Sequence, residues 1–395
     1  MKGKSVRNQR TMRSMLVTLV LSGLCACGNG GRSAGSEGSD PKSPSFTRAQ
    51  AVEIIANLRR IVTPNGVERL EKVNIGGIDQ WVSIRGNDRR NPILLKLHGG
   101  PGWVSMPSSW YFQRGWEEYF TVVQWDQRGA GKTYVTNGGK AIEPTMSFER
   151  ILADTEELVG WLRKEFGKEK IFVMGHSWGS IVGLTFAQQR PEWLHAYIGM
   201  GQAADMLESE RRGWQFAMDR ARATNNEAAI RELEAIAPYA AGKGPLKLED
   251  LYVQRKWLTF YGGAVAGRQK NDAEPAAATL APEYSDDELR VIMEASDFSE
   301  EKLLAKVLTT DLGSITELKV PLILLQGRYD YNVSSTAAKE WFDTLKAPAK
   351  HFVWFEDTAH QVMIEAPGRT LVALVKYALP IAEQAGDVAP QTPNE

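Results

Sequence analysis

The stretch Gly175-His176-Ser177-Trp178-Gly179 fits G-x-S-x-G. In that pattern a serine hydroxyl projects from a sharp turn between a strand and a helix. The apolar run Ile171–Met174 precedes it, and a helix is expected from about Ser180. Ser177 is thereby placed to attack an electrophilic carbonyl. The helix that starts behind it directs its dipole and free N–H groups at the same point.

Such a nucleophile needs a base, and five histidines allow elimination. His98 lies in a glycine-rich loop. The tight turn directs His176 away from its neighbour. His195 and His351 stand at strand starts, the far end of a parallel sheet. His360 follows the last strand candidate and is the expected base. The acid that orients it should follow a strand and lie between serine and histidine in the chain. Asp330, in Gly327-Arg328-Tyr329-Asp330, meets both conditions. It would fix the His360 tautomer and stabilise the imidazolium. Asp357 is too close to His360 in the chain, and Asp343 is expected in a helix. Acyl transfer also needs an oxyanion hole. The Trp178 N–H is one donor. His98-Gly99-Gly100-Pro101-Gly102 should supply the second, from Gly100 with Gly99 as alternate.

Other site classes find little. There is no HExxH pair and no calcium loop. No metal or organic cofactor is implied. Gly129 to Thr133 reads GAGKT, like the end of a phosphate-binding loop. That loop needs glycine at position 126, where the chain has Asp126. The following YVTNGGK reads as a turn rather than a helix. Asp126 and Arg128 are expected to brace this loop through hydrogen bonds and charge.

These side chains must be positioned by a sheet. Strand candidates are Trp81–Ile84, Ile93–Leu97, Thr121–Trp125, Ile171–Met174, Ala196–Met200, Leu322–Leu325 and Phe352–Phe355. Several are continuous apolar runs, as in strands buried on both faces. Phe148–Glu165, Ile181–Gln189 and Arg369–Tyr377 carry helical spacing between them. The alternation implies an α/β domain with a mostly parallel sheet. From about Asp205 to Leu312 only helical segments appear, which reads as a cap inserted into one core. Trp214, Trp257, Phe260 and Tyr261 are expected to pack a small core of its own.

The chain has 395 residues, 47 Lys plus Arg and 48 Asp plus Glu, a net charge of -1. That balance offers no general attraction to nucleic acid. The first residues differ from the rest. Lys2, Lys4, Arg7, Arg10 and Arg13 precede the short apolar run within MLVTLVLSGLCACG, the pattern of a secretory signal and too short for a comfortable membrane span. Leu24-Cys25-Ala26-Cys27 resembles a bacterial lipobox, which implies lipidation at Cys27 and a chain anchored in the cell envelope. The only two cysteines lie here, so the folded part has none for a disulfide. Gly28 to Ser45 is rich in Gly and Ser and reads as a tether. The expected order is signal 1–27, linker 28–47, core 48–204, cap 205–313, core 314–385 and tail 386–395.

HGGPG at His98–Gly102, WDQRGAGKT at Trp125–Thr133, GHSWGS at Gly175–Ser180, GRYD at Gly327–Asp330 and the late His360 together resemble the α/β-hydrolase fold. More narrowly they are similar to the proline iminopeptidase group. The resemblance covers about Val67 to Leu379, apart from most of the cap. It implies a Ser177–Asp330–His360 triad and an oxyanion hole from Gly100 and Trp178. It also implies release of an N-terminal proline or small residue from peptides. Those peptidases hold the substrate amine with acidic cap residues, often after a Trp-Trp pair. Trp257-Leu258-Thr259-Phe260-Tyr261 lacks that acid. Glu208 and Glu210 could supply charge, although their positions read as helical surface. Two rivals share the fold: an esterase with the same triad, and a non-catalytic envelope binding protein. Epoxide or haloalkane chemistry would want an aspartate where Ser177 stands.

Overall fold

The structure is a computed structural model and describes residues 46–242 and 246–390. The signal segment, Cys27 and nearly all of the linker lie outside the described residues. Among the described residues eight strands form: β1 Val67–Ile75, β2 Ile78–Gly86, β3 Ile93–Leu97, β4 Thr121–Trp125, β5 Ile171–His176, β6 Leu194–Met200, β7 Leu322–Gly327 and β8 Lys350–Phe355. They form one sheet in the order β1-β2-β4-β3-β5-β6-β7-β8. The β1–β2 and β2–β4 pairs are antiparallel; the other five are parallel.

All seven strand candidates are strands, and β1 is an eighth that the apolar runs do not mark. Its sequence, VERLEKVNI, has no apolar run: as an edge strand it buries Val67, Val73 and Ile75 on one face and exposes Glu68, Leu70, Lys72 and Asn74 on the other. The central strands differ in that both faces are covered. Ile93, Leu95, Val123, Val173 and Leu324 face one core with Leu158, Leu162 and Ile181. Leu94, Val122, Phe172, Ile198 and Leu325 face the other with Phe112, Trp116 and Leu374. The two-residue period of a strand sends alternate side chains to opposite layers, so both sets must be apolar.

The longer helices are α1 Arg48–Leu58, α2 Gly131–Asn137, α3 Phe148–Phe166, α4 Trp178–Gln189, α5 Met206–Ala223, α6 Glu227–Ala235, α7 Leu248–Phe260, α8 Ala273–Ala278, α9 Asp286–Leu308, α10 Ser335–Thr344 and α11 Pro367–Tyr377. Helix α3 shows how the sequence sets its limits. Ser147 accepts from the Arg150 N–H at the start, and Gly167 closes the end in the left-handed conformation.

Helices α5 to α9 lie between β6 and β7. The chain enters and leaves this cap at one point, where Met206 N donates to Thr310 O at 3.0 Å and Leu312 N to Ala204 O at 2.7 Å. Trp257 packs with Ala217, Met218 and Leu233, with Trp214, Phe260 and Tyr261 beside them, so the cap has a small core of its own. Glu210 differs from its expected place on the helix surface. It is fully buried, accepts from Tyr239 Oη at 2.8 Å and pairs with Arg255. Burial of a carboxylate is tolerable there because a guanidinium and a phenol satisfy it. No helix among the described residues is long and apolar enough to cross a membrane.

Candidate active site

The motif loops all leave the carboxyl ends of strands. His98–Gly102 follows β3, Asp126–Gly129 follows β4, Ser177 follows β5, Asp330 follows β7 and His360 follows β8. The strand order reverses at β3, between β4 and β5. Open α/β sheets form their binding crevice at such a point.

Ser177 has φ 55° and ψ -118°, in a region that non-glycine residues seldom occupy. The turn is over-determined. Ser177 N donates to Met200 O at 3.1 Å, and Ser180 N and Oγ both donate to Ser177 O. A Cβ on Gly175 would strike the Gly179 carbonyl, and one on Gly179 would strike the Leu97 carbonyl. Two glycines at this spacing therefore let the elbow close while β5, α4 and the end of β3 stay in contact.

His360 is buried. Its Nδ1 lies 2.8 Å from Asp330 Oδ2, while Asp330 Oδ1 accepts from Val333 N at 2.9 Å. Asp330 is thus held on both oxygens, and Nδ1 must carry the proton it shares. That leaves Nε2 free to accept one. The main chain of His360 is fixed as well. Its N–H donates to Ala264 O at 3.0 Å, and Glu365 accepts from both neighbouring amides, Ala359 and Gln361. Burial raises the Glu365 carboxyl above its ordinary range. Gly201, after β6, presses on the pair. A Cβ there would lie 2.9 Å from His360 Cε1 and 3.0 Å from Nδ1.

The other histidines fall where elimination puts them. His176 Nε2 lies 3.0 Å from the His360 carbonyl oxygen, so its ring is engaged by the main chain of the loop that carries the expected base. His195 contacts Asp387 at the opposite end of the sheet. His98 is structural. Its Nε2 accepts from Gln127 N at 3.3 Å, so Nδ1 donates to Gly99 O at 2.8 Å. Burial pushes His98 down to about 3, and it stays neutral in this role.

The HGGPG loop abuts the elbow: a Cβ on Gly99 would meet Ser177 Cβ at 3.3 Å. The amides of Gly100 and Trp178 have no acceptor among the described residues. Trp178 is the first residue of α4, so its N–H is one of the donors a helix start leaves free.

One buried acid carries no sequence motif. Glu274, in α8, is only 2% exposed and accepts from Trp103 Nε1 at 2.9 Å and Ser108 Oγ at 3.1 Å. Burial raises its carboxyl, while the Trp103 hydrogen bond and the nearby charge of Lys96 oppose the rise. Its signal was slight: a single acid in the short, alanine-rich helix AEPAAA.

GAGKT is followed by a helix after all, since α2 begins at Gly131. The place of an anion is taken from within. Asp126 Oδ2 accepts from Lys132 N at 2.8 Å, at the start of α2, and from the Tyr284 hydroxyl. Lys132 Nζ pairs with Glu288 at 2.6 Å, and Thr133 Oγ1 donates to Asp126 O. Arg128 is buried against Asp154 at 2.8 Å and also donates to Gly76 O and Thr145 Oγ1. Asp126 and Arg128 brace the loop as expected. Asp126 also ties it to the cap through Tyr284.

Burial, with no partner for Oδ1, pushes Asp126 up to about 7 from its ordinary 3.8, against the hydrogen bonds of Tyr284 and Lys132. Between those values the folded chain keeps a proton that the unfolded chain loses. This contribution to stability therefore falls as pH rises from about 4 to 7 and is flat above. Asp126→Asn keeps an acceptor and removes the titration. Its Tm relative to wild type is expected to rise from pH 5 to pH 8 in thermal unfolding. A constant difference would count against this.

An α/β-hydrolase is what the sheet, the elbow and the Asp330–His360 pair define. The family model described as alpha/beta hydrolase fold matches residues 92–367, and the chain belongs to that family. It is 30% identical over 312 residues to the "Probable aminopeptidase YbaC" of Bacillus subtilis, covering 78% of this chain and 96% of that one. A "Probable proline iminopeptidase" of Streptomyces coelicolor is 34% identical over 112 residues, 27% of this chain and 31% of that one. The solved proline iminopeptidase of Mycobacterium smegmatis covers 80% of this chain and 100% of its own, at TM-score 0.57 and 16% identity. The protein is a hydrolase similar to the proline iminopeptidase group.

Proposed function

We propose that this hydrolase is a serine aminopeptidase that releases an N-terminal proline or small residue. The observation that carries the reading is the strained Ser177 elbow at the sheet crevice that also holds the hydrogen-bonded His360–Asp330 pair. Ser177 Oγ attacks the scissile carbonyl and passes its proton to His360 Nε2. The amides of Trp178 and Gly100 receive the oxyanion, with Gly99 as alternate donor. His360 then gives the proton to the leaving amine, and the C–N bond breaks. Water attacks the acyl-enzyme with His360 again as base, and Ser177 is released.

Glu274 supports the preference for a free amine. It is a cap carboxylate one tryptophan away from the HGGPG loop, and each oxygen keeps a lone pair beyond its present bond. It stands in for the acid that the Trp257–Tyr261 stretch lacks. Glu274→Gln keeps the acceptor and removes the charge. It is expected to raise KM for a prolyl arylamide about 10- to 100-fold. Hydrolysis of a short-chain aryl ester should hardly change. An equal loss on both substrates would assign Glu274 to scaffold alone. A wild-type enzyme that strongly prefers the ester would replace the peptidase reading with the esterase one.

Export with a lipid on Cys27 belongs to the same proposal and rests on the basic opening, the apolar run and the lipobox-like LCAC. In a bacterial host, Cys27→Ser is expected to move the protein from the membrane fraction to the soluble fraction. Unchanged membrane association would remove the anchor from this reading.

A further inference from the structure

The cap carries a pocket of about 560 Å³ that includes none of the residues of the proposed catalytic machinery. Arg220, Asn226, Phe260, Tyr261 and Arg268 are among its lining. Its volume lies in the range of small-molecule sites. No acidic residue lines it, and two guanidiniums do. Neither Arg220 nor Arg268 makes a side-chain hydrogen bond or salt bridge with the described residues. Arg211, Arg212, Arg222 and Arg255, on the same helices as the pocket or beside them, each pair with a carboxylate. Two guanidiniums without a partner among the described residues and two aromatic rings in one lining suit an anion on an apolar body, because guanidinium forks match a carboxylate and rings cover a carbon skeleton.

We propose that this pocket binds the carboxylate of a small organic acid or of a peptide's C-terminus. The pocket adjoins the reaction centre through its own wall. Segment 262–268 supplies Gly262, Gly267 and Arg268 to the lining. Within the same segment Gly263 O accepts from Tyr331 N, Ala264 O accepts from His360 N, and Ala266 N donates to Glu365 at 2.7 Å. Arg268 also lines a smaller cavity of about 130 Å³ with Ala273 and Ala277 of α8, which flank Glu274, and with Ile364 and Glu365. Arg268 thereby borders both the pocket and the helix that carries Glu274, so the peptide would run from an amine at Glu274 toward the two arginines. This peptide source rests on the aminopeptidase reading; the free-acid source does not.

The test is calorimetric titration of the full chain carrying Ser177→Ala, with Pro-Gly-Phe, its C-terminal amide and 3-phenylpropionate. If the peptide supplies the carboxylate, the acid binds about tenfold more tightly than the amide, and the ratio collapses to one when Arg220→Ala and Arg268→Ala are added. If a free acid is the ligand, 3-phenylpropionate binds saturably and loses that binding in the same arginine variant. Both arginines are exposed, so an unchanged Tm verifies the fold. The proposal is overturned if neither acid's affinity responds to the arginine pair. Failure of wild type to cleave a prolyl arylamide would end the aminopeptidase reading, and the 3-phenylpropionate arm would still decide the pocket.

Discussion

Ser177→Ala is expected to lower kcat/KM for the favoured substrate by roughly 10⁴- to 10⁶-fold, the range seen when a nucleophile of this kind is removed. The loss falls on kcat, because the side chain acts on the reacting carbon and adds little to ground-state binding. Labelling by a fluorophosphonate should disappear with it. The alanine variant should remain folded: the turn is held by main-chain bonds from Ser177 N to Met200 O and from Ser180 N to Ser177 O, and neither uses the hydroxyl. Alanine keeps the Cβ, so the strain at φ 55° is unchanged in kind. Turnover or labelling that survives at the wild-type level would place the nucleophile elsewhere. No labelling of the wild type would favour a binding protein that merely keeps the fold.

Asp330→Asn is expected to cost about 10⁴-fold in kcat, near the loss typical of such a change in a serine triad. The structure supplies the reason. Oδ1 of Asp330 accepts from Val333 N, and Oδ2 faces His360 Nδ1 at 2.8 Å. An asparagine satisfies Val333 with its oxygen, so its NH₂ must face Nδ1. That favours the tautomer with the proton on Nε2, where the base must be free. It also removes the negative charge that stabilises the imidazolium. The measurement is kcat across the pH range, with Tm as a fold control. A loss of less than tenfold with full stability would mean that another group orients His360.

The hydrolase class and the three residues of the proposed nucleophile–base–acid set stood out in the sequence because their signals are local or positional. The serine elbow is five contiguous residues between an apolar run and a helix. His360 and Asp330 follow from chain order and from standing after a strand. The central strands announced themselves because burial on both faces demands unbroken apolar runs. Strand β1 did not, since its wet face admits Glu68 and Lys72 and its other face carries half-buried Arg69 and Glu71. The turn-like look of YVTNGGK misled for a related reason. Helix α2 is short, and it is held from outside by Asp126 at its start and by α9 through Lys132 and Glu288.

By itself the amino-acid sequence set out the chemistry on offer: a serine in a nucleophile-type elbow, one histidine placed to serve it, an acid after a strand, and a loop without the glycine a phosphate needs. Tertiary structure decided what depends on residues far apart in the chain. Asp126 meets Tyr284 across 158 positions, and Trp103 meets Glu274 across 171. Neither contact leaves a periodic or contiguous trace, because each is made by single side chains on elements whose approach is set by packing of the cap on the core. The same packing buries Glu274 beside the HGGPG loop, while packing within the cap buries Glu210 against Arg255 and leaves Arg220 and Arg268 without a partner among the described residues. The reacting groups were therefore readable one by one, whereas what surrounds a substrate was not.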